Sequence, residues 1–402
     1  MTETVQYLII GGGMTADAAV RGVRTQDPDG SIVLLSEEDV PPHDRPPLSK
    51  GLWQGEELPA PPHDLEAIDR RTADAGARIL TGTRAVELDP GRLEVLTDRG
   101  HRIRADRILL ATGSRPRTLP DETGSVLWFR TLQDCRRLAA GVRDGARVAL
   151  VGGGFIGCEL AGSLAARGIP VDQIFPEEAP LADRLPLPFA HLLADQLDSL
   201  GATLRPGHAV TAFRGTPGAL RIETDEGILG PSWGLAVAGL GVIPRQELAE
   251  EAGLEVRDGI VVNEALETSA PGVFAAGDVI RFPAPRFGEQ LRIEHEDHAN
   301  DSGRIAGSRM AGATERYDPI PYVYSGIGGI TLEEVGVPAG GDPDEILVPT
   351  EAGGRGFALW QSEGRLRRLL VWNRPGRAPR IRRLLRDDPA PPTDQVVELL
   401  AL

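Results

Sequence analysis

The chain has 402 residues, enough for about two to four domains of ordinary size with real cores. Hydrophobic residues make up 41% and charged residues 25%, which excludes a disordered or fibrous chain, and no apolar run approaches the roughly 20 residues that span a bilayer. The formal net charge of −16 repels a phosphate backbone and argues against nucleic-acid binding.

The first residues have no basic region ahead of the short apolar run Val5 to Ile10, so they read as a first strand and not a signal peptide, with a cytoplasmic location expected. That run meets Gly11-Gly12-Gly13-Met14-Thr15-Ala16 and then an alanine-rich stretch: strand, tight turn, helix. In such a unit the first glycine makes the turn and the second lets the backbone approach a pyrophosphate. The third position must be small for helix and strand to pack. Here it is Ala16, a variant. The helix N-terminus offers free N–H groups to the anion. A second strand, Ile32 to Leu35, leads into Ser36-Glu37-Glu38, about 25 residues past the turn, where a carboxylate can accept from adenosine ribose hydroxyls.

Proline-rich loops follow, near Pro41 to Pro47 and Pro59 to Pro62. Between them lies Lys50, the only lysine among 43 basic residues. Its bland reading is chance retention on a surface loop. Arg107 to Gly113 is a buried strand ending Ala111-Thr112-Gly113. The unit of strand, turn and helix then repeats: Arg147 to Val151, Gly152-Gly153-Gly154-Phe155-Ile156-Gly157, an Ala/Leu-rich helix, and a strand from Val171 leading to Glu177-Glu178. Two copies with the same spacing from glycine to acid point to two dinucleotide sites. A strand ending Gly277-Asp278 comes later. This order is that of a flavoprotein whose FAD domain is interrupted by its NAD domain. Beyond Tyr317 shorter β-like runs (Gly356 to Gln361, Leu366 to Trp372) and a helix near Asp394 to Leu400 suggest a third domain.

The expected class is α/β, with two Rossmann-like dinucleotide-binding domains for FAD and NAD and a C-terminal α+β domain. The expected boundaries are 1–112 with 241–318 for FAD, 113–240 for NAD and 319–402 for the third domain. Cys135 and Cys158 are the only cysteines, too few and too far apart for a disulfide framework, a CxxC pair or a cysteine-based zinc site. No metal site is expected, and redox chemistry must come from a bound cofactor.

On these residues the chain resembles the FAD-dependent ferredoxin, rubredoxin and putidaredoxin reductase family, with its apoptosis-inducing-factor relatives. The most specific match is Asp44-Arg45-Pro46-Pro47-Leu48-Ser49-Lys50. Others are Gly152 to Ala161, Ile174 to Glu177, Glu294-His295-Glu296-Asp297-His298 and Val371 to Pro375. The resemblance implies that Arg45 contacts the FAD phosphates, that Lys50 lies beside the reactive edge of the flavin with Glu159 as its partner, and that Asp278 binds the ribityl chain. Glu294 and His295 would line flavin and nicotinamide. It extends the FAD set to Gly11, Gly13, Ala16, Glu37, Glu38, Val86, Ala111, Thr112, Gly113, Arg130, Gly277, Glu296 and Tyr324. The NAD set becomes Gly152, Gly154, Phe155, Ile156, Gly157, Glu159, Glu177, Gly239 and Glu294. Standing alone, Glu159 reads equally as an acid in a helix's first turn. Where the family usually shows Trp-Ser-Asp, this chain has Tyr324-Ser325-Gly326.

The implied activity is hydride transfer from NADH to FAD, then single electrons to a ferredoxin-type iron–sulfur protein, by a monomer or homodimer without a membrane partner. An NADH oxidase or quinone reductase, or an NADH-gated interaction protein, are the alternatives. Nine arginines between Arg365 and Arg386, with no acid among them, offer an acidic acceptor a docking surface. The other reading is the solvent face of strands and a helix. His43 and His298 read as surface or hydrogen-bonded structural histidines.

Overall fold

A computed structural model describes residues 2–337, 344–351, 354–363, 365–388 and 391–401. The apolar runs ahead of the two glycine turns are central strands of two parallel sheets. Leu8, Ile9, Val148 and Ala149 are wholly buried, as strands covered on both faces require. In the first sheet the parallel strands run Ala77–Leu80, Ile32–Leu35, Thr2–Ile10, Arg102–Leu110, Val273–Ala275. The long strand Arg102–Leu110 also takes antiparallel Glu94–Thr97 along its first half. The second sheet runs Thr203–Arg205, Val171–Ile174, Val148–Val151, Leu235–Ala238, Val126–Trp128, all parallel. The chain passes between the two sheets twice, and the two passes pair as antiparallel strands, Ser114–Pro116 with Val242–Pro244. A five-stranded antiparallel sheet follows, in the order Tyr322–Ile327, Ile330–Gly336, Arg365–Trp372, Arg355–Ser362, Asp344–Glu351. The class is thus α/β with a C-terminal α+β unit.

One face of the last sheet packs under the helices Ala378–Asp387 and Thr393–Ala401, with Val335, Leu359, Leu369, Ile381, Leu385 and Val396 between them. The first of these helices carries the end of the arginine run, and arginines fill most of its polar positions. Only Ala378, Ile381 and Leu385 mark its buried stripe. The other face of the sheet shares a core with the second parallel sheet: Ile327, Leu332 and Trp372 join Leu160, Leu164 and Phe189. Leu48 and Trp53, on either side of Lys50, enter the same core. Trp53 donates its Nε1 proton to Leu48 O at 2.7 Å, so the lysine loop is tied down by its own indole.

Helix Met14–Gln26 lies against helix Glu296–Met310 at backbone contact distance. A Cβ at Gly303 or Gly307 would sit 2.3 Å from Thr15 O or 2.0 Å from Ala19 O. This close approach brings the first turn of the later helix, with His295 as its N-cap, to the same end of the sheet as the Gly11 turn.

Candidate functional site

The two glycine turns have matching backbone hydrogen bonds. Gly11 N donates to Leu35 O and Gly152 N to Ile174 O; Ala111 N donates to Ile10 O and Gly239 N to Val151 O, all at 2.8–2.9 Å. Gly11 and Gly152 have φ of +137° and +120°, which side chains avoid. A Cβ on either would strike a carbonyl, Ala111 O at 2.0 Å or Gly239 O at 2.4 Å. At Gly13 and Gly154 the opposite holds: the nearest atom to a Cβ on Gly13 is Arg45 Nε at 3.9 Å, and nothing lies within 4 Å at Gly154. The protein itself leaves room there. Each of these two glycines is the N-cap of its helix, with no side-chain cap, so the first backbone N–H groups face that room.

Around the first turn lies a pocket of about 820 Å³, near the upper end for small-molecule sites. Of the expected FAD residues, Gly11, Gly13, Glu37, Glu38, Arg45, Val86, Ala111, Thr112, Gly113, Arg130 and Asp278 line it. Ala16 is wholly buried beneath the turn. Both acids are already paired, Glu38 with Arg45 at 2.5 Å and Glu37 with Arg245 at 2.6 Å. Arg245 had no local signal, because it reaches the site only through the second crossing between the sheets. Around the second turn Glu177 keeps a buried Oε2 without a hydrogen-bond partner. Arg184 lies nearby, its guanidinium over the Phe155 ring at 5.5 Å. An N-terminal cradle and an open Cβ position fit a dinucleotide at each turn, with the pocket at the first and the vacant buried acceptor at the second.

Asp278 closes the inner end of the first pocket, taking hydrogen bonds from Arg130 at 2.8 Å and Ser114 at 3.1 Å. Burial alone would push its carboxyl up; the Arg130 guanidinium overrides that and holds it below the usual range. Behind it, Gly277 is gripped from both sides by the later helix: its N–H donates to Ser302 Oγ at 2.9 Å, and its carbonyl accepts from His298 Nε2 at 3.1 Å. His298 Nδ1 then accepts from the Tyr317 hydroxyl at 2.5 Å. Burial lowers His298 to about 4, so it is a neutral structural histidine. His43 is also buried and lowered by burial; its Nδ1 bonds Pro41 O.

Lys50, Glu159, Glu294, His295, Glu296 and Tyr324 do not line that pocket. They gather at the seam between the first two sheets and the third domain. Lys50 Nζ reaches Glu159 Oε1 at 3.0 Å, joining residues 109 apart in the chain. Glu159 is the fifth residue of helix Phe155–Ala165 and 5% exposed, past the first turn where a helix dipole would account for it. Ser49 donates to its Oε2 at 2.5 Å and Ser325 to its Oε1 at 2.6 Å. Neither serine has a role assigned from the sequence alone, although each adjoins a residue that does. His295 bridges to the backbone of Tyr324 at 3.3 Å, and the Tyr324 hydroxyl donates to Glu296. Glu294 turns to Arg292. Tyr324 is 38% exposed, the outermost of the aromatic string Tyr322, Tyr324, His295.

Neither cysteine belongs to the seam. Cys135 bonds Leu48 O and Cys158 bonds Gly153 O, and burial pushes both thiols up to about 12, too high to supply thiolate. The arginine run of the third domain is largely used internally. Arg368 pairs with Glu334 on both oxygens at 2.8 Å and stacks 4.2 Å from the Trp360 ring. Arg382 grips Asp297 at 2.9 and 2.5 Å. Arg380, Arg383 and Arg386 stay exposed along one helix.

Residues 5–303 match the family model described as pyridine nucleotide-disulphide oxidoreductase. Putidaredoxin reductase of Pseudomonas putida is 30% identical over 90% of this chain and 87% of its own length. Monodehydroascorbate reductase 4 of Arabidopsis thaliana, a peroxisomal protein, is 31% identical over 91% of this chain and 79% of its own length. The crystal structure of the ferredoxin reductase for the CYP199A2 system from Rhodopseudomonas palustris superposes with a TM-score of 0.86 at 28% identity, covering 98% of this chain and 97% of that one.

Proposed function

The chain belongs to the pyridine nucleotide-disulphide oxidoreductase family, and from that premise we propose that it is an NADH-dependent flavoprotein reductase that supplies electrons to a ferredoxin-type iron–sulfur protein. Bound FAD would supply the chemistry, taking a hydride from NADH and releasing its electrons singly. The observation that carries the reading is the Lys50–Glu159 pair: the chain's single lysine, half-buried, meets a buried carboxylate of the second turn's helix at 3.0 Å.

Each residue has a physical task. The open backbone at Gly13, with Arg45 beside it, would hold the FAD pyrophosphate, and Glu37 the adenosine ribose. Asp278, kept charged by Arg130, would accept from the ribityl hydroxyls. Gly154 and the amides after it would hold the NADH pyrophosphate, while the vacant Oε2 of Glu177 would take a ribose hydroxyl and repel a 2′-phosphate. Lys50 places a compact ammonium at the seam, where negative charge would develop. The disulphide chemistry in the family's name has no counterpart here, since both thiols are buried away from the seam.

The test is anaerobic addition of NADH to the yellow protein, followed by a ferredoxin, a quinone, monodehydroascorbate or oxygen. Fast turnover with ferredoxin alone supports the reading. Faster turnover with any other acceptor replaces it, and a flavin that stays reduced before all four returns the chain to the interaction-protein alternative.

A further inference from the structure

Glu159, on a helix of the second sheet, takes donors from two other parts of the fold: Ser49 and Lys50 from the loop after the first parallel sheet's second strand, and Ser325 from the third domain. The alternation of strand Tyr322–Ile327 makes this possible. Successive side chains point to opposite faces, so Tyr324 turns outward to Glu296 while Ser325, 4% exposed, turns inward to Glu159.

The two oxygens of Glu159 are loaded unequally. Oε2 takes the Ser49 hydroxyl alone, whereas Oε1 takes both the Ser325 hydroxyl at 2.6 Å and the Lys50 ammonium at 3.0 Å. The shorter contact is the one to the hydroxyl, and hydroxyl-to-carboxylate bonds of that length are among the stronger ones. We propose that Ser325 is a positioning residue: by sharing Glu159 Oε1 with Lys50, it lets the third domain set how tightly the carboxylate holds the ammonium. This rests on reading Lys50 and Glu159 as the pair beside the reactive site.

Without the Ser325 hydroxyl, Oε1 has Lys50 as its only partner and the pair tightens. The ammonium is drawn toward Glu159 and away from the open side of the seam. Ser49 keeps Oε2 occupied, and its backbone is held by Ser163 donating to Ser49 O at 2.9 Å, so the carboxylate cannot simply swing away.

The unusual composition makes this measurable. Because Lys50 is the only lysine, an amine-reactive reagent labels it and the α-amino terminus alone, and the terminus serves as the internal standard. In flavin-loaded Ser325→Ala, labelling of Lys50 should slow about fivefold, the size of one shared hydrogen bond, and the flavin midpoint potential should fall. Ser325→Thr should restore both. An unchanged or faster labelling rate in Ser325→Ala, with a lowered Tm as the only effect, would overturn the proposal by leaving Ser325 a packing residue. Neither labelling nor potential depends on the acceptor, so failure with ferredoxin leaves this test standing. Normal ferredoxin turnover with unchanged labelling defeats this proposal alone.

Discussion

The two glycine turns are near copies in backbone and differ in what surrounds them. In both, the first glycine is demanded by the fold, through a positive φ and a carbonyl 2.0 or 2.4 Å from where a Cβ would sit, while the N-cap glycine touches little or nothing. The third small position separates them. Gly157 has Gly152 O 2.2 Å from a would-be Cβ, whereas Ala16 carries its methyl buried, and the first helix makes its close contacts at Thr15 and Ala19, against Gly303 and Gly307. The acids differ as well. The acids of the first turn, Glu37 and Glu38, are neutralised by arginines of the protein, whereas Glu177 at the second turn keeps one buried oxygen without a hydrogen-bond partner.

The sharpest way to break the comparison is at its glycines. Gly11→Val should abolish flavin retention and stable folding of the first unit, and Gly152→Val should do the same for NADH binding. Gly13→Ala and Gly154→Ala should leave the Tm of the ligand-free chain unchanged and weaken FAD and NADH binding respectively by roughly tenfold or more. A Gly13→Ala protein as unstable without flavin as Gly11→Val would end the distinction between fold-demanded and ligand-demanded glycines.

Acid should separate the two units next. His298 packs behind the first turn with its folded value lowered to about 4, against about 6.5 unfolded. The unfolded chain therefore binds the extra proton first, and stability is full above about pH 6.5 and lost as pH falls toward 4, by roughly 3 kcal/mol. In the second unit the buried Asp172 would be raised by burial, but Arg147, Trp233 and Arg205 hold it below its usual range, so its loss begins only at lower pH. Melting curves between pH 6.5 and 4.5 should therefore steepen through the first unit. His298→Asn should flatten that slope; an equally steep profile in the variant would place the acid sensitivity elsewhere.

The vacant acceptor makes a smaller, directional claim. Glu177→Gln should cut kcat/KM for NADH about tenfold and narrow the preference over NADPH, while Glu37→Gln, whose wild-type partner is Arg245, should affect flavin binding less. Equal losses at the two sites would erase the contrast. The smallest effect belongs to the surface. Arg383→Glu with Arg386→Glu should slow ferredoxin reduction a few-fold at low salt and leave NADH oxidation by the flavin alone. Arg382→Glu should instead lower the Tm, because it breaks the grip on Asp297; if all three substitutions behave alike, the exposed stripe has no special role.

What could be read from the chain was whatever is local. The strands before each turn, both glycine runs, the acids after the second strands and the lone lysine are set by φ requirements, apolar runs and spacing, which act within some 30 residues. What could not be read was which side chains meet across the folded molecule. Ser49 and Ser325 on Glu159 lie 110 and 166 residues from it, and Arg245 meets Glu37 only where the chain returns to the first sheet. The arginine run shows the limit most plainly: as sequence it is a uniform basic surface, yet strand alternation and helix phase turn Arg368 and Arg382 inward to acids and leave Arg380, Arg383 and Arg386 outside. Charge and spacing are properties of the chain, but the partner that neutralises a charge is chosen by packing, and packing is settled only when distant elements come together.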